Sequence, residues 1–551
     1  MKIDPILPEA RLQAMKASDI WPDRLLTDDF DHWVATKPDH TAIIDHNSMT
    51  GARTVLTYAE LGRRVDRIAS GLARLGVRRN DVVSMQLPNW WQFIALHLAA
   101  LRLGAVTNPV MPIFREREMT FMLRLAESKV LVIPREFRGF DYKSMADAIR
   151  PSLPDLKHVL VIGGEGESAF ECLIDGAPEP DEATRTLFAA SRPSPNDVVE
   201  LLYTSGTTGE PKGVMHTSNT LYANVLPYAD RFKLSGNDTV LMASPLAHQT
   251  GFLYGIMMPV ALGGTVVLQD IWNASKAVDL IAAEHVTFTM AATPFLSDMT
   301  DEAAKRPADL KTLRTFLSAG APIPRALVRR AAEHLGANII SAWGMTENGA
   351  VTTTRIGDPP DKTFETDGCP LRGMETRVVD ENGAVMPADA EGRLQTRGAS
   401  NFVGYLKHPE MFATDADGWF DTGDLARIDR DGYVRITGRT KDVIIRGGEN
   451  VPVVEVEGLI YQHPGIQEVA VVAMPDERLG ERACAFAVLR PGNNLTFPEL
   501  VDFLSERRLA RNYLPERLEV IEAMPKTPSG KIQKVVLRGI AKTLTPEKRQ
   551  G

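Results

Sequence analysis

YTSGTTGEPKG, Tyr203 to Gly213, packs three glycines, four Ser or Thr hydroxyls and Lys212 into eleven residues. It follows an apolar run, Val198, Val199, Leu201 and Leu202, that reads as a buried strand. Glycines let the backbone approach a ligand closely. Unpaired N–H groups in such a loop form an anion-binding nest, to which hydroxyls and a lysine add donors. The stretch departs from the G-x-x-x-x-G-K-[ST] phosphate loop, because Gly209 is followed by Glu210-Pro211-Lys212 and no hydroxyl follows the lysine directly. A surface loop would explain the glycines and threonines, but not a lysine set beyond Pro211. The expectation is therefore a phosphate grip at the end of a strand.

The chain around it has 551 residues, room for two to four domains. Its net charge of -9 argues against a nucleic-acid binder, so a polyanionic ligand must be held by local charge. Three distant cysteines, Cys172, Cys369 and Cys484, indicate neither a disulfide framework nor a metal cluster, and they fit a reducing cytoplasm. The opening residues lack the apolar centre of a signal peptide. The uncharged run Thr250 to Leu268 is expected to be broken by Pro259 and Gly263-Gly264 into a helix and a strand, so no membrane span is expected.

Upstream, LTYAELGRRVDRIASGLARLGV predicts an amphipathic helix with a Thr57–Glu60 capping box and a face of Leu61, Val65, Ile68, Leu72 and Leu75. VVSMQL, the helix around Trp91 and the run after Gly104 predict a βαβ unit, continued by KVLVI and HVLVI. Trp90 and Trp91 are expected in the core, and Glu165 to Ser194 as surface connection. Downstream, four apolar runs end in polar or special residues: TVLMASPLAHQTG, VTFTMAATPF, TFLSAGAP and NIISAWGMTE. Open α/β sheets bind ligands beyond the carboxyl ends of their strands, so these ends should converge with Tyr203–Gly213 in one cleft. After Gly357, short strands and turns predict a β-rich subdomain carrying WFDTGDLA. ITGRTKDVIIRGGENV then marks a boundary before a small α/β domain that ends in MPKTPSGKIQK. The fold class expected is α/β, a large N-terminal domain over 1–440 and a small mobile C-terminal domain over 441–551.

In this order the motifs resemble the adenylate-forming superfamily of acyl-CoA synthetases, nonribosomal peptide adenylation domains and luciferases, from about Trp33 to Leu537. The closest resemblance is to ligases of short or medium fatty acids and of cyclohexanecarboxylate. It implies that Thr204, Ser205, Gly206, Thr207, Thr208, Gly209 and Lys212 hold the β- and γ-phosphates of ATP. Trp343, a departure from the commoner tyrosine, Gly344 and Met345 would meet the nucleotide, with Gly320, Ala321 and Pro322 as the other wall of the adenine site. Thr346 would contact the α-phosphate, and Glu347 would bind Mg²⁺. Asp424 would take the ribose hydroxyls beside Arg439, and Lys531 would bridge the substrate carboxylate and the α-phosphate. The resemblance further implies a hinge at Lys441, and a rotation that withdraws Lys531 and brings Gly447-Gly448 to line a pantetheine tunnel for CoA. His248 falls near the thioester-forming centre, where a role as a satisfied strand-end residue stands equally open.

The pocket stretches Gln249–Gly255, Ala291–Leu296, Ala319–Ala321 and Asn348–Thr352 contain no Lys or Arg, which disfavours dicarboxylates. Phe252, Leu253, Phe295 and Leu296 suggest an apolar tail. The partners expected are a small carboxylic acid and CoA, with no nucleic acid; self-association is left open. Rival expectations are an enzyme that loads a carrier protein, a non-catalytic scaffold and, more remotely, a luciferase-type oxygenase.

Overall fold

The computed structural model describes residues 3–174, 179–204, 211–306, 308–320, 323–440, 443–446, 449–507, 509–527 and 530–545, with the side chains of 449 and 450 excepted. Two sheets make the body of the N-terminal part. The larger has nine strands. Its centre is parallel: Asn338–Met345, Thr315–Ala319, Phe288–Ala292, Thr239–Met242, Thr265–Gln269 and Thr41–His46. The second has six strands, with Val198–Thr204 beside Val106–Pro109, Val82–Met85, Ser128–Pro134 and His158–Ile162, all parallel, and Lys212–Thr217 added antiparallel. A four-stranded antiparallel sheet, Met374–Val379 to Val434–Arg439, forms the β-rich unit. A last sheet built on Ile466–Asp476 and Gly480–Leu489 forms the C-terminal α/β unit. The α/β fold class expected from the sequence is the fold observed.

The largest core cluster takes residues from both big sheets, Val83 and Val132 from one, Val240 and Leu317 from the other. Two helices fill the layer. In Tyr58–Arg74 the capping box is made, with Glu60 N–H donating to Thr57 Oγ1 at 3.2 Å and Thr57 N–H to Glu60 Oε2 at 2.9 Å. In Trp91–Arg102, apolar on all sides, ten of twelve residues are buried, as a helix covered from both faces requires. Trp90 and Trp91 are core residues, as expected.

Two expectations are corrected. The run from Thr250 does divide into helix and strand, but Pro259 does not divide it. A π turn at Leu253–Met257 widens the helix ahead of the proline, and Gly263, at φ 72°, makes the break before Thr265–Gln269. The tract 165–194 is more than surface connection. It contains the helix Glu182–Ser191, capped by Asp181 accepting from Thr184 N–H at 2.8 Å, and it sends Phe170 into the main core. An N-terminal arm also runs back over the molecule. Ile6 N–H donates to Val403 O at 2.7 Å, Arg11 Nη1 to Phe402 O at 3.0 Å, and Trp21 Nε1 to Ala399 O at 3.0 Å. Among the described residues no helix is long and apolar enough to cross a membrane.

Asp45 closes the N-terminus of Trp91–Arg102, its Oδ2 accepting Trp91 N–H at 3.0 Å, while its Oδ1 has no partner among the described residues. Burial, opposed by that hydrogen bond and reinforced by nearby Asp270, raises its pKa from 3.8 to about 7. The native state therefore holds a proton that the unfolded state releases, and stability falls as pH rises from about 4 to about 7. Asp45→Asn should remove that fall: urea titrations are expected to show a gain of about 1–2 kcal/mol near pH 8 that vanishes near pH 4.

Candidate active site

Strand Val198–Thr204 turns back into Lys212–Thr217 as a hairpin, Lys212 opposite Thr204 and Gly213 opposite Tyr203. The tip, with Ser205, Gly206, Thr207, Thr208 and Gly209, lies outside the described residues, as do Ala321, Pro322, Lys441, Gly447 and Gly448. On its other side the hairpin takes a strap formed by residues 398–406. Leu406 N–H donates to Gly213 O at 2.8 Å, Met215 N–H to Gly404 O at 3.0 Å, and Val403 N–H to Met215 O at 3.0 Å. The strap carries Tyr405, whose Oη donates to Glu347 Oε1 at 2.8 Å. Lys212 Nζ stands 5.0 Å from the centre of the Tyr405 ring. Phe402 N–H donates to the main-chain oxygen of Glu347 at 2.7 Å. The strap thus holds the same glutamate at backbone and side chain.

Glu347 is 5% exposed. Burial pushes its pKa up, while the Tyr405 hydrogen bond and the charges of Arg439 and Lys212 pull it down. The Thr346 carbonyl lies 2.8 Å from His216 Nε2 and can only accept, so that nitrogen bears the proton. His216 Nδ1 then accepts from Thr220 Oγ1 at 3.1 Å. Burial holds the ring neutral, its pKa lowered to about 4.

The strand Asn338–Met345 brings Trp343 to the edge of the four-stranded sheet. Trp343 Nε1 donates to Asp424 Oδ2 at 2.9 Å, and Arg439 Nε donates to Asp424 Oδ1 at 2.9 Å. Arg439 sits opposite Asp424 in the neighbouring strand. Asp424 is 2% exposed, a buried carboxylate with a donor on each oxygen. Gly344 is constrained by proximity: a Cβ there would stand 1.9 Å from the Gly349 carbonyl oxygen. Met345 pairs with Gly349 in the same ladder.

Lys531 reaches this group from the far end of the chain. A Cβ built on Gly320, at φ 91°, would stand 3.0 Å from Lys531 Cε, so a side chain there would crowd the lysine as well as strain the backbone. Gly530 lies against Phe295 and Ala292. Burial and the charge of Arg439 lower the Lys531 pKa, while Asp424 and Glu347 raise it. His248 caps the helix Gln249–Phe252, its Nδ1 accepting Thr250 N–H at 3.2 Å. Burial and the field of Lys531 lower its pKa to about 3, so it is a neutral ring with its proton on Nε2. His248 is thus the satisfied cap that one of its two readings expected, and it lies within the field of Lys531.

Of the pocket positions, Phe252 meets His97 edge-on at 4.8 Å and Phe295 packs against Trp272 at 4.5 Å. Gln249 is buried, and among the described residues neither of its side-chain amide atoms has a partner, a polar feature the apolar expectation did not anticipate. In the C-terminal unit, Arg446 Nε and Nη2 donate to buried Glu516 Oε1 at 3.2 and 2.8 Å, anchoring the strand Ile444–Arg446. Sequence reasoning missed Tyr405, His216 and Arg11. Each acts across a large sequence separation, and their surroundings (GYLKHPE, VMHTS, EARLQ) carry no chemistry by themselves.

The chain belongs to the AMP-binding enzyme family, which it matches over residues 30–406, with the C-terminal domain of the same family over residues 455–531. It is an ATP-dependent, AMP-forming ligase. The medium-chain fatty-acid–CoA ligase of Escherichia coli (strain K12) is 35% identical over 541 residues, 98% of this chain and 94% of the relative. The 2,3-dihydroxybenzoate–AMP ligase of Bacillus subtilis (strain 168) is 35% identical over 498 residues, 90% of each chain. The crystal structure of the anthranilate CoA ligase AuaEII in complex with anthranoyl-AMP superposes with a TM-score of 0.84 at 26% identity, covering 96% of this chain and 99% of the other.

Trp343→Phe keeps an aromatic ring but deletes the N–H that Asp424 accepts and part of the buried indole, so a cavity cost adds to the lost hydrogen bond. Denaturant unfolding should register a loss of at least about 1–2 kcal/mol, the weight of a buried hydrogen bond to a charged group alone.

Proposed function

We propose that the chain activates an aliphatic or alicyclic monocarboxylate with MgATP and transfers the acyl group to CoA. The observation that carries this reading is the placement of Lys531 against Gly320, within the fields of Glu347 and Asp424. A lysine delivered to two buried carboxylates beside a glycine-rich hairpin suits a reaction between two anions. The substrate carboxylate, ionised at neutral pH, needs no general base. Its oxygen attacks the α-phosphorus of ATP, the bond to the bridging oxygen breaks, and pyrophosphate leaves with the electron pair. Lys212 faces the phosphates, Lys531 the carboxylate and α-phosphate, and Asp424, fixed by Trp343 and Arg439, the ribose hydroxyls. In the second step the CoA sulfur attacks the acyl carbon, AMP leaves, and the thiol proton passes to solvent.

Mg²⁺ fits here as an ion held by one carboxylate and by substrate phosphates: Glu347 is buried and oriented, and among the described residues no group of three acidic, His or Cys ligands forms a protein-only cage. Glu347 would hold it, and it would supply neutralising charge on the phosphates. We read residues 1–440 and 441–551 as two bodies hinged at Lys441. Their present contact, Gly530 on Phe295 and Arg490 Nη1 at 3.9 Å from Asp301, would serve the first step. The Arg446–Glu516 anchor would serve the second by holding the strand Ile444–Arg446, next in sequence to the glycines assigned to pantetheine. A cytoplasmic setting is part of the same reading.

For the acid, medium-chain fatty acids and cyclohexanecarboxylate are the two candidates. The first is supported by the name of a 35% identical relative, the second by the motif resemblance. The Gln249 amide, without a partner among the described residues, favours a second reading, an oxygen-bearing aromatic acid such as the dihydroxybenzoate relative's name gives, with a carrier protein in place of CoA as the rival acceptor.

An acid panel scored by AMP release with and without CoA should rank aliphatic and alicyclic monocarboxylates first. Clear preference for hydroxyaromatic acids or malonate would sink the substrate assignment, and thioester formation that does not saturate with free CoA would favour a carrier. Lys531→Ala should lower acid-dependent ATP–pyrophosphate exchange about 100-fold or more, as loss of one preorganised charge does. It should leave thioester formation from added acyl adenylate within about threefold if the lysine acts only in the first step.

A further inference from the structure

The strap formed by residues 398–406 has no role in the chemistry just described, yet it is the structure that grips Glu347. Tyr405 lies next to its C-terminal end, 5% exposed. Its main chain bridges Val214 of the phosphate hairpin, and its ring is wedged among Phe402, at 4.7 Å, and the cluster of Val214 and Phe420. The ring is therefore fixed on three sides, and its hydroxyl delivers a hydrogen to Glu347 Oε1 at 2.8 Å. The outer face of the same ring receives Lys212 Nζ at 5.0 Å. One side chain thus touches both the carboxylate assigned to the cation and the lysine assigned to the phosphates.

We propose that Tyr405 is a positioning residue: it fixes the orientation of Glu347, so that the carboxylate presents its remaining lone pairs to the nucleotide-bound cation, and it sets the distance between that cation and Lys212. The inference rests on the assignment of Glu347 made above. A carboxylate has about four acceptor sites, and a donor locked on one oxygen leaves the others aimed in one direction. A carboxylate free to rotate would lose conformational freedom each time the cation binds; one already held by a phenol does not. Partners that orient ligating carboxylates in this way are worth about 10- to 100-fold in metal affinity.

The test is calorimetric titration of the full-length protein with ATP, no acid present, once with excess Mg²⁺ and once with EDTA. The wild type, Tyr405→Phe, Glu347→Gln and the double variant are compared. Tyr405→Phe keeps the ring, its packing and the Lys212 contact, and deletes only the hydroxyl. The affinity gained on adding Mg²⁺ should fall about tenfold or more, while the affinity in EDTA stays within about twofold of wild type. In the Glu347→Gln background the same change should add less than about twofold, because its effect runs through that carboxylate. A Mg²⁺-dependent gain in Tyr405→Phe equal to wild type overturns the inference. So does an equal loss with and without Mg²⁺, which marks a merely structural tyrosine. If Glu347→Gln retains the full gain, the assignment of Glu347 itself fails, and the inference falls with it. If the wild type binds no ATP under either condition, the proposed function fails first.

Discussion

The site is governed by the cost of keeping carboxylates out of water. Glu347 and Asp424 are both nearly inaccessible, and an ionised group so placed survives only with donors or opposite charges around it. Asp424 has its answer in the protein: an indole N–H on one oxygen and a guanidinium on the other. Glu347 has a partial answer, one phenol and two more distant cations, and burial still raises its pKa. The difference suits the tasks assigned to them. A ribose contact needs a fixed acceptor that never changes partner, whereas a cation site must keep some of its charge uncompensated until the ion arrives.

Holding Glu347 calls on distant parts of the chain. Its backbone and side chain are gripped by the strap formed by residues 398–406, and the strap is stitched on one edge to the phosphate hairpin. On another side lies the N-terminal arm, where Arg11 donates to the carbonyls of Phe402 and Asn401. Burial lowers the Arg11 pKa to about 10, still far enough above neutrality for the guanidinium to stay charged. Among the described residues, carbonyl dipoles compensate that charge. The neutral imidazole of His216 makes the same choice on the other side of the hairpin: it donates to Thr346 without adding charge to a site whose field must stay available for ligands.

What the sequence revealed followed from physics that is local. Strand ends were legible because apolar runs stop at residues with special backbones or polar tips, and Glu347, just past Asn338–Met345, sits at such a place; Asp424 lies within the strand Phe420–Ile428, and it and Lys531 were singled out only by the motif resemblance. The Thr57–Glu60 box was legible because both halves lie within one turn. The helix Glu182–Ser191 was hidden by a composition rich in acids and prolines, although Asp181 marked its start. Pro259 misled because its usual effect is absorbed by a π turn, which depends on the surrounding core. Tyr405, His216 and Arg11 were invisible for a different reason. Arg11 meets its acceptor across 391 residues, His216 across 130 and Tyr405 across 58, and a single sequence holds no trace of such pairings.

Lys531 brings the electrostatic argument to its end. Burial and Arg439 push its pKa down, Asp424 and Glu347 push it up, and so its charge in the cleft depends on how many anions share the space. On the proposed reading, ATP and an ionised acid add negative charge, which favours the cation and with it the docked C-terminal unit. Adenylation then converts the acid carboxylate into a neutral acyl group, and release of pyrophosphate takes away most of the phosphate charge. The desolvation of Lys531 is then less well compensated than before the reaction. The lysine that the first step attracts is loosened by the completion of that step, which gives the rotation of the small unit a thermodynamic cause within the site.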